Sequence, residues 1–196
     1  MISVIIPYMA NEPYKTKLSN CMECLQNQTA AIEILICEHE IAQYFRLNEV
    51  LNMGVEQAAG DFLWICGADF IIEDPTLLER MNEKVEADGL DCIFVMYLSP
   101  AYKKYKVSDG SVFMRREVME RFGRFDDSLI GISRATFVFL EWCMENTRWH
   151  ASRDFLITLD HSDRRRARIH QPTLDKCNPS YKRVIKKLGD MGLWLN

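Results

Sequence analysis

Asp69 is the residue whose type and position could do chemistry most directly. It follows the apolar run 62–66 after only two residues, and Phe70 to Ile72 behind it are apolar again. A carboxylate is costly to bury unless it is paired or binds a cation, and carboxylate oxygens are preferred ligands of Mg²⁺ and Mn²⁺. We therefore predict that Asp69 is an ion ligand rather than a turn residue.

Other polar residues end predicted strands in the same way. Pro7-Tyr8 ends the first strand, Glu38 ends the second, and His161 follows the last one. Ligands of open α/β sheets collect at the carboxyl ends of the strands, so we expect these residues to share one edge with Asp69. Taken singly, Glu38 could be a turn residue, and His161 an ordinary surface histidine.

These side chains need a scaffold, and the sequence predicts an α/β one. Strands and helices alternate, which is typical of a single domain with a mostly parallel central sheet flanked by helices. The predicted strands cover 3–7, 33–37, 62–66, 91–97, 111–114 and 155–159. The predicted helices cover 14–28, 47–59, 74–87, 116–122, 135–145 and 180–188. Pro100 and three lysines among polar residues predict a mobile loop over 98–110.

Length and composition exclude several classes of protein. A chain of 196 residues that is 48% hydrophobic can bury one α/β core. It has no apolar run of about 18 residues, which a membrane span needs, and MISVIIPY lacks the basic start of a secretory leader. The seven cysteines lack metal-ligand spacing, which favours reduced thiols and a cytoplasmic location. Cys21 and Cys24 have redox-motif spacing, but they lie mid-helix, which disfavours redox chemistry.

The two halves of the chain carry opposite charge. Residues 1–98 contain 5 Lys or Arg against 16 Asp or Glu, whereas residues 99–196 contain 19 against 12. The basic residues cluster at 103–106, 164–168 and 182–187. Such clusters can bind phosphate groups or simply remain solvated. The cluster at 164–168 follows His161 directly, so we expect a flexible, phosphate-facing lid there.

Several segments together resemble one enzyme family, in the correct order and over roughly residues 2–163. They are ISVIIPY, EILICEHE, the residues Arg46, Asn52, Gly54, Gly60 and Asp61, then GADF, GRFDDSLIG and LITLDHS. The pattern resembles family 2 glycosyltransferases with the GT-A fold, with galactosyltransferase-like N- and C-terminal motifs. The resemblance implies a single glycosyltransferase domain: 1–97 binds the nucleotide sugar, 98–171 binds the acceptor, and 172–196 is a tail.

The resemblance also implies an activity and its residues. A sugar would pass from a nucleoside diphosphate sugar, a UDP-sugar in the first place, to an acceptor hydroxyl with the help of Mn²⁺ or Mg²⁺. The implied metal ligands are Asp69 and His161. The residues implied to bind the nucleotide sugar are Pro7, Tyr8, Glu38, Arg46, Asn52, Ala68 and Asp69.

Two positions depart from the family pattern. Gly67 stands where the first carboxylate of the Asp-x-Asp motif is expected, and Ala135-Thr136 stands where inverting members carry the general base. Three explanations stay open: a base supplied by Asp127, Asp126 or Glu141, transfer with retention that needs no protein base, or loss of catalysis.

Two other functions compete with sugar transfer. A non-catalytic module that binds a sugar nucleotide or a glycan would tolerate both departures. A nucleotidyltransferase would need a glycine-rich basic loop after the first strand, and YMANEPYK contains no glycine. The acceptor stays open among a saccharide, a lipid-linked saccharide, a protein and a modified nucleic acid.

Overall fold

The structure is a computed structural model that describes residues 1–9, 14–39, 47–99, 104–128, 136–159 and 174–193. Its strands are β1 (Ile2–Met9), β2 (Ile32–His39), β3 (Phe62–Ile65), β4 (Phe70–Ile71), β5 (Cys92–Ser99), β6 (Lys104–Arg115), β7 (Trp149–His150) and β8 (Leu156–Leu159). Its helices are α1 (Tyr14–Gln26), α2 (Leu47–Gln57), α3 (Leu77–Asp88), α4 (Arg116–Phe122), α5 (Thr136–Asn146) and α6 (Leu174–Asp190).

All eight strands belong to one sheet, in the order β2-β1-β3-β6-β5-β8-β4, with β7 paired to β5. Four of the seven strand pairs are parallel, and β6 and β4 supply the antiparallel ones. The predicted single α/β domain is therefore confirmed, with a mixed sheet. Within the described ranges no helix combines the length and the apolar character needed to cross a membrane.

The sheet is buried on both faces, which explains why β1 is a continuous apolar run. Successive side chains of a strand point to opposite faces, so Ile5 joins one core cluster whereas Val4 and Ile6 join the other. The first cluster lies under α2, α5 and α6, and the second lies under α1 and α3. The molecule thus has three layers, helices over sheet over helices.

α2 lies unusually close to the sheet, and Gly54 makes this possible. A Cβ at Gly54 would stand 2.3 Å from Ile5 Cγ2 and 2.9 Å from Cys37 Sγ. No side chain fits there without moving β1 or β2. Gly54 therefore has a packing reason to be glycine, and the close contact fixes where α2 begins relative to the ends of both strands.

The prediction of a loop over 98–110 is wrong for the described residues of this segment, 98–99 and 104–110. β5 continues to Ser99 and β6 begins at Lys104, so most of this segment forms an antiparallel hairpin. The lysines there alternate with other side chains, and Val107 pairs with Met96 and is buried. The predicted strand 111–114 is only the buried end of β6. The sequence also misses the two-residue strands β4 and β7, and it gives only the second half of α6.

Candidate functional site

The carboxyl ends of β1, β2 and β3 meet at one edge of the sheet. All three strands are parallel, Tyr8 is level with Glu38, and Ile5 is level with Ile65. The Cys66 amide donates to the Ile5 carbonyl at 2.9 Å, so the turn from Cys66 to Asp69 extends past the end of the β1–β3 pairing. The structure thus brings Tyr8, Glu38 and Asp69 to the same edge, while their roles in ligand binding stay predictions.

The edge is polar and partly open. Glu38 is exposed, Asp69 is partly exposed, and Tyr8 and Ala68 beside them are buried. Pro7 has no amide hydrogen and so cannot donate to a neighbouring strand; the pairing of β1 with β3 stops two residues before it. β1 stays paired with β2 as far as Met9, so among the described residues only the β3 side of β1 is left without a paired strand beyond Ile5.

Phe70 explains why residue 67 is a glycine. A Cβ at Gly67 would lie 2.6 Å from Phe70 Cε1 and 2.9 Å from Asp69 Oδ1. The Phe70 ring is buried against Trp64, with the ring centroids 6.3 Å apart. Moving this buried ring would disrupt its packing, so a side chain at residue 67 is disfavoured. The turn therefore holds one carboxylate, Asp69, rather than two.

Two buried thiols support the turn from below. Cys21 Sγ on α1 lies 3.9 Å from Cys66 Sγ, and both sulfurs lie 3.6 Å from the Gly67 carbonyl oxygen. Burial, chiefly, raises the pKa of the Cys66 thiol well above its usual value. A thiol that stays protonated is a poor nucleophile. We assign Cys21 and Cys66 a packing role.

The segment 125–128, which carries two of the predicted bases, is held in place by two asparagines of α2. The Asn52 amide donates to the Phe125 carbonyl at 3.0 Å and to Asp127 Oδ1 at 2.7 Å, and its oxygen accepts from the Phe125 amide at 3.0 Å. Asn48 donates to the Asp126 carbonyl at 2.8 Å. Both asparagines are buried. The sequence analysis did not include Asn48, although its four-residue spacing from Asn52 places both on one helix face.

Asp127, one of the three predicted bases, has both of its carboxylate oxygens held by neighbouring side chains. Its Oδ2 also accepts from Arg124 at 3.2 Å, and Arg124 in turn pairs with Glu56 at 2.6 Å. Asp126 has a different role, since its Oδ1 accepts from the Ser128 amide at 2.9 Å and closes a turn. Asp127 is 43% exposed, so its carboxylate is fixed in direction and still reachable.

Glu141 lies apart from these residues, on α5 against α6. It forms an ion pair with Arg183, whose hydrogen bond is the main cause that lowers the pKa of the Glu141 carboxyl. Thr136, at the start of α5, is buried, and its hydroxyl has no hydrogen-bond partner in the described part of the protein. The structure therefore does not group Glu141 with Asp127.

Arg46, Ala135 and His161, together with the basic cluster 164–168, lie outside the described residues. Among the residues that are described, no three His, Cys, Asp or Glu side chains come together as a metal site. A cation held by Asp69 would therefore need further ligands from outside the described residues, such as a diphosphate and water. The predicted pairing of Asp69 with His161 stays a prediction.

No family model and no curated protein sequence matches this chain. Several solved structures, however, match this chain. S. aureus TarS residues 1–349 in complex with UDP matches with a TM-score of 0.62 and 12% identity, over 81% of this chain and 60% of that one. The mannosyltransferase PcManGT from Pyrobaculum calidifontis, in complex with GDP-Man and Mn²⁺, matches with a TM-score of 0.59 and 14% identity. The match covers 80% of this chain and 56% of that one.

A third match covers more of both chains. The catalytic domain of Drosophila β1,4-galactosyltransferase 7, in complex with xylobiose, gives a TM-score of 0.66 and 14% identity, over 92% of this chain and 79% of that one. This chain spans between 36% and 60% of the length of the TarS and PcManGT chains. At such identities the likeness concerns the fold, and the fold of this chain is that of the GT-A glycosyltransferases.

Proposed function

We propose that this chain is a glycosyltransferase that moves a sugar from a nucleoside diphosphate sugar to an acceptor hydroxyl. A UDP-sugar is the first candidate for the donor. The observation that carries the proposal is the meeting of Tyr8, Glu38 and Asp69 at the carboxyl edge of a GT-A sheet. Residues 1–97 bind the donor in this proposal, and 98–171 bind the acceptor. The neighbours that contain UDP, or GDP-Man with Mn²⁺, support the donor class.

On the donor side, Glu38 and Arg46 recognise the nucleotide, and Asp69 and His161 hold a divalent cation. Such a cation, when bound, compensates the negative charge of the leaving diphosphate. The partly exposed Asp69 lies in the turn between β3 and β4, which the Phe70 amide closes by donating to the Gly67 carbonyl at 3.2 Å. A rigid carboxylate positions the cation and thereby the diphosphate.

On the acceptor side, Asp127 is the general base of the proposal. A base must reach the acceptor hydroxyl within about 3 Å, directly or through one water. Asn52 donates to one oxygen of the Asp127 carboxylate and Arg124 to the other, and the side chain stays 43% exposed. Glu141 is less suited, because it lies on α5 against α6, where both of its carboxylate oxygens accept from Arg183. Inversion of the anomeric centre follows if Asp127 is the base.

A binding module remains the second candidate, and two observations favour it. The turn has room for one carboxylate only, and a buried threonine stands where the family base is expected. Donor binding without turnover in the presence of any acceptor would identify such a module.

The test is a thermal-shift screen of nucleoside diphosphate sugars with and without Mn²⁺, on wild type and Asp69→Asn. A ligand at a hundred times its dissociation constant stabilises the folded state by about 2.7 kcal/mol. We expect stabilisation by at least one donor, strengthened by Mn²⁺ and lost in Asp69→Asn. No stabilisation of the wild type by any nucleotide sugar contradicts the proposal.

A further inference from the structure

We propose that Asn52 of α2 is a positioning residue, which fixes the Asp127 carboxylate relative to the strands β1 and β2. This inference rests on the proposed function, in which Asp127 is the general base. The resemblance implied a different role for Asn52, as one of the residues that bind the nucleotide sugar. The hydrogen bonds of its side chain connect it instead to the segment 125–128, which carries that base.

The orientation of the Asn52 amide follows from its partners. Its oxygen accepts from the Phe125 amide at 3.0 Å, and its nitrogen donates to the Phe125 carbonyl at 3.0 Å. The reversed orientation would set the NH₂ group against the Phe125 N–H, and two donors cannot bond to each other. The second N–H of the NH₂ group then serves Asp127, whose Oδ1 lies 2.7 Å from the nitrogen. Asn52 thus holds one defined oxygen of the carboxylate.

α2 also packs directly on β1 and β2, and Gly54 makes this contact. Gly54 lies against Ile5 of β1 and Cys37 of β2, where no side chain fits, and it follows Asn52 by two residues on the same helix. The backbone hydrogen bonds of a helix keep such neighbouring residues in a fixed relation. One short stretch of α2 therefore contacts both the strands that end at the carboxyl edge and the carboxylate of the proposed base.

The other oxygen of Asp127 is held less firmly. Arg124 donates to Oδ2 at 3.2 Å, but the Arg124 side chain is 58% exposed and also pairs with Glu56 at 2.6 Å. Solvent weakens such an exposed ion pair, whereas Asn52 is only 3% exposed and its hydrogen bonds are shielded from water. Asn52 therefore sets the direction of the carboxylate and leaves Oδ2 to take the proton of the acceptor hydroxyl.

The same contacts disfavour a direct role of Asn52 in nucleotide binding. An asparagine side chain has two N–H donors, and both have partners within the protein. The side chain is buried, so little of its surface is left for a ligand. Its effect on sugar transfer should therefore pass through Asp127, and a general base that is misplaced by about 1 Å can lose up to about a hundredfold in rate.

Steady-state kinetics of Asn52→Ala, Asp127→Asn and the double variant test the inference, with the donor and acceptor found by screening. We expect Asn52→Ala to lower kcat about 10- to 100-fold in the wild-type background. In the Asp127→Asn background the same change should lower kcat less than about threefold, because the group that Asn52 positions is already lost. Calorimetric titration with UDP and Mn²⁺ should give the same affinity for Asn52→Ala as for the wild type.

Asn48→Ala is the matched control. Asn48 lies on the same face of α2 and holds the same segment, but its side chain donates to the Asp126 carbonyl rather than to the Asp127 carboxylate. We expect Asn48→Ala to keep kcat within about threefold of the wild type. Asn52→Ser, whose hydroxyl is polar but shorter than the amide, is the second variant in case Asn52→Ala does not fold.

Four results would overturn the inference. They are equal losses of kcat in the two backgrounds, equal losses in Asn52→Ala and Asn48→Ala, weaker UDP binding by Asn52→Ala with unchanged kcat, and failure of both Asn52 variants to fold. The proposed function fails in a different way. A wild type that transfers no sugar contradicts the activity, and wild-type turnover in Asp127→Asn contradicts the choice of base.

Discussion

Gly67 and Phe70 set the number of carboxylates that this strand end can hold. We predict that Gly67→Ala lowers the free energy of unfolding by about 1–3 kcal/mol, because the added methyl group would overlap the Phe70 ring. Urea denaturation measures the loss. In a Phe70→Leu background the same change should cost less, since the smaller side chain yields. Equal costs in both backgrounds would show that Phe70 is not the obstacle.

Asn52 joins α2 to the segment 125–128 through three hydrogen bonds. We predict that Asn52→Leu destabilises the protein by about 1–3 kcal/mol, because the buried Phe125 amide and carbonyl lose their partner. Chemical denaturation measures it, with the exposed Asn20→Leu of α1 as the control. A variant as stable as the control would mean that the segment 125–128 is held by other contacts.

The sequence could predict Asp69 and Glu38 at one edge, because strand ends in an α/β sheet follow from hydrophobic runs alone. It could not predict the partners of Asn52. Those partners lie 73 and 75 residues away in sequence, and the resemblance suggested only a place near the nucleotide.

At the scale of the elements, β2 is joined to the loop after α2 by hydrogen bonds to an ionisable side chain, Glu33. The Glu33 carboxylate accepts from the Ala59 and Gly60 amides and from the Ser3 hydroxyl, and the Ser3 bond is the largest of the causes that lower its pKa below 4.5. A lowered folded-state pKa means that this stabilisation is complete above about pH 4.5 and is lost as the pH falls through the folded value.

We therefore predict that Glu33→Gln is less stable than wild type at pH 7, and that the difference shrinks as the pH approaches 3. Thermal unfolding at a series of pH values measures both. Glu83→Gln, an exposed glutamate on α3, is the control and should show no such convergence. A constant difference between Glu33→Gln and wild type across the range would contradict the linkage.

The contact between α5 and α6 gives Glu141 a structural role. We predict that Glu141→Gln and Arg183→Met each cost about 0–1 kcal/mol, since Arg183 is 61% exposed and solvent screens the pair. Turnover should survive Glu141→Gln, whereas Asp127→Asn should lower the rate by about 10²–10⁴. Steady-state kinetics with the donor and acceptor found by screening provide the comparison. If Glu141→Gln loses turnover and Asp127→Asn does not, Glu141 is the general base instead of Asp127.

Elements were predictable where hydrophobic periodicity was strong and not where it was mixed. The apolar runs that form β1, β2 and β3 predicted the bounds of these strands to within a few residues. β6 combines lysines with a tyrosine and a valine in its first half, so composition indicated a loop while the two-residue alternation indicated a strand. The pairing partner, β5, decides such a case, and single-sequence patterns do not identify partners.

At the scale of the whole molecule, the alternation of strands and helices predicted the α/β class, and the mixed strand order depended on long-range pairing. β6 lies between β3 and β5 and runs against both. This arrangement leaves the carboxyl ends of β1, β2 and β3 together at one edge and extends the sheet beside them. The donor half of the proposal is therefore the part that the sequence could predict best.

The central claim is that this edge binds a nucleoside diphosphate sugar through Asp69. The most direct measurement is a crystal structure of the protein with Mn²⁺ and UDP, with the manganese located by its anomalous scattering. We predict a manganese ion about 2 to 2.6 Å from an Asp69 carboxylate oxygen, with diphosphate oxygens as further ligands and the uracil near Glu38. A nucleotide bound elsewhere on the molecule, or a manganese ion with no contact to Asp69, would contradict the account.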